Sequence, residues 1–80
     1  MNPHFASLVV GLGAQAASAL EGNVPGEVAG ADPKEIARSL IDTLGMIEEK
    51  TRGNLSDEEH QLLSGILTDL RIRFVQGTPK

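Results

Sequence analysis

The sequence lacks most of the residue types that small proteins use for covalent or metal support. It has no cysteine, no tryptophan and no tyrosine, and two phenylalanines are its only aromatic residues. The absence of cysteine excludes disulfides and thiolate metal sites. A core of this size rarely supplies more than about 3–5 kcal/mol of stability by itself. We therefore expect one small domain over residues 1–80 that associates with a second copy, as a homodimer.

Positive charge is also scarce, because seven lysines and arginines stand against eleven acidic residues, for a formal net charge of −4. Nucleic-acid binding needs cationic contacts to phosphates and often aromatic stacking, so nucleic acid is not an expected partner. No charged residue precedes Glu21, so the sequence does not show the basic residues with which a secretory signal begins. The apolar runs are too short for a membrane span. These features predict a cytoplasmic protein.

The best-specified stretch is KTRGNLSDEE at residues 50–59, which carries a helix end followed at once by a helix start. Gly53 suits the left-handed conformation that often ends a helix, and Asn54 tolerates turn conformations. Ser56 followed three residues later by Glu59 is a capping box, and Leu55 before the cap can act as a hydrophobic staple. This stretch, the elbow, predicts a turn between two antiparallel helices.

The rest of the chain has helical apolar spacing on both sides of the elbow. Asn2 and Pro3 favour a first helix over about residues 3–20, and the other two helices are expected over about 33–52 and 57–76. Residues 21–31 are predicted to be a flexible loop, and residues 77–80 a tail. Two apolar seams with 3-4-3-4 spacing favour an antiparallel hairpin: Ala37, Leu40, Leu44, Ile47, Thr51 and His60, Leu63, Leu67, Leu70, Phe74. The sequence therefore predicts an all-α helical bundle in which the first helix docks on this hairpin.

More apolar helix surface is available than a hairpin alone can bury. The first helix is expected to present one face of Phe5, Leu8, Leu12, Ala16 and Ala19, and the third helix has an uncharged back face that includes Gly65 and Ile72. Either the first helix or a second copy of the chain would cover that back face. The candidate interface residues are Phe5, Leu8, Leu12, Gly65 and Ile72.

The run LIDTLGMIEEKTRGNL at residues 40–55 resembles the signature of a bacterial family known as domain of unknown function 1844. The similarity continues through Glu59, Leu62, Leu63 and Leu67 to the run LRIRFV at residues 70–75, and an N-terminal piece around residues 5–20 also fits. The resemblance implies a small, mostly helical bacterial protein. It implies no catalytic residue, because the family brings no established activity.

Only one residue pair invites a chemical interpretation. Asp57 and His60 have the i,i+3 spacing found in helical metal sites, but such sites need further inward-facing carboxylates, and His60 is expected to lie half-buried near the turn. We therefore expect no catalytic, cofactor-binding or metal site. The leading hypothesis is a non-enzymatic interaction or adaptor protein with an unidentified protein partner. The alternative is a helical bundle that binds a small ligand or a metal.

Overall fold

The computed structural model describes residues 1–22 and 32–76, and these fold into three helices that pack on one another. They are α1 (Pro3–Leu20), α2 (Pro33–Lys50) and α3 (Asp57–Gln76). The described residues contain no strand, so the predicted all-α bundle is confirmed. Most of the predicted loop at 21–31 and the whole predicted tail at 77–80 lie outside the described residues.

The helices begin where the sequence predicts, because side chains satisfy their first amides. The Asn2 side chain accepts hydrogen bonds from the amides of His4 and Phe5 at 2.8 and 3.3 Å. Asp32 accepts from the amide of Lys34 at 3.0 Å. A proline follows each of these two caps, Asn2 and Asp32, at a position where its missing N–H costs nothing.

The second helix ends earlier than predicted, at Lys50 instead of residue 52. Thr51 is its C-cap, and both its amide and its hydroxyl donate to the Ile47 carbonyl, at 2.9 and 2.7 Å. The amide of Asn54 then donates to the Thr51 carbonyl at 2.9 Å, which closes the turn. Arg52 therefore belongs to the turn, and Gly53 follows it with φ +85°.

Three contacts show how the helices run relative to one another. The Lys34 ammonium lies 5.1 Å from the centre of the Phe74 ring, so the start of α2 meets the end of α3 and the hairpin is antiparallel. The Asn2 amide bonds to Glu59, and a Cβ on Gly13 would lie 2.9 Å from the Ile66 Cγ2. From the Asn2–Glu59 contact to the Gly13–Ile66 contact, the residue number rises in both helices, so α1 runs in the same general direction as α3.

The core lies between all three helices. The apolar side chains that are buried in the described residues are Val9, Ala16, Ala19, Leu20, Ala37, Ile41, Leu44, Leu63, Leu67 and Leu70. The central members of both predicted hairpin seams are among them. Leu40, Ile47, Leu55 and Phe74 pack against this core while remaining partly exposed.

The predicted inner face of α1 is wrong in part, because the helix is rotated toward Val9. Val9 and Gly13 are buried, whereas Leu8 is 50% exposed. The small Gly13 lets Ile66 of α3 come close, and this contact draws the Val9 side of the helix inward. Ala16 and Ala19 are buried as expected, and Phe5 and Leu12 are partly buried.

Candidate functional site

The elbow carries the densest set of polar contacts among the described residues. The Ser56 hydroxyl accepts from the Glu59 amide at 3.2 Å, and the Glu59 Oε1 accepts from the Ser56 amide at 2.9 Å. These are the two reciprocal bonds of a capping box, as the sequence predicts. Both side chains are therefore committed to starting α3.

Glu59 makes one further bond that the local sequence does not reveal. Its Oε2 accepts from the Asn2 backbone amide at 2.7 Å, so one carboxylate joins the N-termini of α1 and α3. Glu59 is accordingly buried, although charged residues are rarely so. The amides of Ser56 and Asn2, in that order, hold the pKa of this carboxyl below its ordinary value, against the opposing effect of burial.

His60 lies outside this arrangement. The prediction that it is half-buried is wrong: His60 is exposed, and Glu59 turns inward in its place to reach the two amides. His60 lines a shallow surface depression beside the elbow, together with Glu48 and Asp57. No three acidic or histidine side chains within residues 1–22 and 32–76 are grouped so that they could hold a metal ion.

The predicted interface residues of α1 divide into two groups. Phe5 and Leu12 pack partly against the core, so they contribute to the bundle itself. Leu8 and Val10 are each 50% exposed, on opposite flanks of the outer face of the helix. Between these flanks lie the exposed His4 and Gln15 and several smaller side chains. We call the following set the α1 outer face: His4, Ser7, Leu8, Val10, Ala14, Gln15 and Ser18.

The predicted interface residues of α3 lie on the side opposite the core. Gly65 and Ile72 are exposed, and α1 does not cover them. They belong to a row of five exposed, uncharged residues, which we call the α3 outer seam: Gln61, Gly65, Thr68, Ile72 and Val75. Ile72 is 52% exposed and Val75 is 83% exposed, so the most exposed large apolar side chain in the described chain belongs to this seam.

Charged residues beside the α3 outer seam have partners of their own, although Asp69 also lines the shallow surface formed by Gly65, Thr68 and Ile72. The Arg73 Nε lies 3.1 Å from an Asp69 carboxylate oxygen, which is the i,i+4 ion pair expected at this spacing. Arg71 reaches back to α2, where a Cβ on Gly45 would lie 3.2 Å from its Nη2. The members of the seam are uncharged, and His60 and Asp69 lie at its edge.

Comparison with known proteins identifies the family. The family model described as "Domain of unknown function (DUF1844)" matches residues 2–76. The chain belongs to this family. No curated protein and no solved structure matches it.

The DUF1844 match begins at Asn2 and ends with the last residue of α3. It therefore includes both partners of the Asn2–Glu59 bond, the elbow and all three helices. In this DUF1844 chain, none of the helices within the described residues is both long and apolar enough to cross a membrane.

Sequence reasoning identified the elbow residues Gly53, Asn54, Leu55, Ser56 and Glu59, and the structure brings them into one turn. It missed the second role of Glu59 and the exposure of Leu8. The exposed back face of α3 did have a signal, because Gln61, Gly65, Thr68, Ile72 and Val75 recur with 4-3-4-3 spacing.

Proposed function

We propose that this protein is a non-enzymatic interaction module that binds another protein through the α1 outer face. The observation that carries the proposal is the composition of this face. In a chain of net charge −4, the exposed side of an 18-residue helix has no charged side chain and presents Leu8 and Val10 half exposed. The outer side of a helix in a bundle is ordinarily polar and charged.

A protein partner suits this face better than a small ligand does. Its exposed residues run along the length of α1, and Ser7, Ala14 and Ser18 are small, so a second helix can approach closely at three points along α1. Apolar anchors at helical spacing are the usual contacts when a helix binds a helical surface. Leu8 and Val10 are two positions apart and so point to well-separated sides of α1, and each would contact a different edge of the bound helix.

The non-enzymatic part of the proposal is supported by how the polar residues are used. Ser56 and Glu59 are engaged in capping bonds, and Asp69 is paired with Arg73. Each of these groups has a structural partner that accounts for its position. Association of two chains into a symmetric dimer, in the cytoplasm of a bacterium, is part of the same proposal, since a core this small gains stability from a partner subunit.

The experiment is affinity capture from the protein's own cells with a C-terminal tag, because a tag at the N-terminus would lie beside the Asn2–Glu59 bond. The wild-type chain is compared with Leu8→Glu and Val10→Glu, which put a charge on the proposed face. Ser39→Glu is the matched control, because Ser39 is exposed on α2. We expect a defined protein to be recovered with the wild type and the control and lost with both α1 variants.

Helical circular dichroism must be retained in every variant, since all three altered positions are exposed. Recovery of the same proteins with all four chains would refute the role of the α1 outer face.

A further inference from the structure

We draw no further inference here: the strongest candidate, the α3 outer seam with its exposed Ile72 and Val75, is bordered by His60 and Asp69, and nothing in the structure shows what covers it.

Discussion

The first helix and the hairpin are held in the same bundle by different means. The buried residues of α1 include Gly13, Ala16 and Ala19, whereas the hairpin buries Leu44, Leu63, Leu67 and Leu70. In the hairpin, side-chain volume fills the core. In α1, small residues let the helix backbone come close to its neighbours, so its fit depends on the space that the hairpin leaves.

The two regions also differ in what specifies them. The hairpin has a capped turn, and nearly all its charged residues are exposed, so its local sequence fixes its ends and restricts which sides face inward. The helix α1 has an N-cap but no charged residue from Pro3 to Leu20, so its own sequence does not distinguish inside from outside. Its orientation is set by contacts with Ile66 and Glu59, which belong to the hairpin.

The largest effect that separates these regions is expected from Leu67→Ala. Leu67 is 1% exposed, and removal of a fully buried leucine side chain leaves a cavity and costs about 2–5 kcal/mol. That loss is comparable with the whole stability of a core this small, so a large fraction of the Leu67→Ala molecules should be unfolded at 25 °C. Leu8→Ala in α1 is the control, because Leu8 is 50% exposed and should change stability far less. Urea unfolding followed by circular dichroism measures both, and equal losses would contradict the assignment of inner and outer sides.

The second prediction tests the close approach of α1. Ala16 is fully buried, and leucine at this position should overpack the core and destabilise the protein by about 1–3 kcal/mol. Ala14→Leu is the matched control: Ala14 lies on the same helix but is exposed, so the variant should stay near wild-type stability. Thermal unfolding of the two variants measures the difference. If Ala14→Leu were the more destabilising of the pair, the rotation of α1 described above would be incorrect.

The third prediction concerns the elbow, where a single bond is removed instead of packing. Ser56→Ala deletes the hydroxyl that accepts from the Glu59 amide, and loss of an N-cap side chain costs about 1 kcal/mol. Asp57→Asn is the control, since Asp57 is exposed beside the cap but makes no bond within it. Urea midpoints should fall for Ser56→Ala and change little for Asp57→Asn. An unchanged midpoint in Ser56→Ala would mean that water replaces the cap without loss.

These differences explain why prediction from the sequence succeeded at the elbow and failed in part on α1. Residues 50–59 act on one another within a few positions, so cap, staple and helix end can be inferred from spacing alone. An apolar helix offers no polar side to orient it, and the predicted inner face of α1 therefore included Leu8 and omitted Gly13. The structure reverses both positions.

The bond from Asn2 to Glu59 lies beyond local inference for a different reason. Its two residues are 57 positions apart, and no periodicity links a helix start to a turn at that distance. The outer seam of α3 is an intermediate case: its spacing was present in the sequence, but only the structure establishes that α1 leaves it exposed.

The smallest effect is expected from Glu59→Gln, which isolates the contact between the two regions. Glutamine can still accept from the Ser56 amide and so preserve the cap of α3, but its amide nitrogen cannot accept from Asn2 as the second carboxylate oxygen does. Because the folded pKa of Glu59 lies below its ordinary value, the ionised group stabilises the protein above the unfolded pKa. That stabilisation is lost as the pH falls through the folded pKa.

The difference in unfolding free energy between the wild type and Glu59→Gln should therefore be largest near neutral pH and shrink under acid conditions. Glu49→Gln is the control, since Glu49 is exposed on α2, away from the Asn2–Glu59 bond. Amide hydrogen exchange locates the change: protection at Asn2 should fall in Glu59→Gln, while the Ser56 amide stays protected. A free-energy difference that is constant with pH, or equal loss of protection at both amides, would mean that Glu59 acts only on the elbow and that α1 is held in place by packing alone.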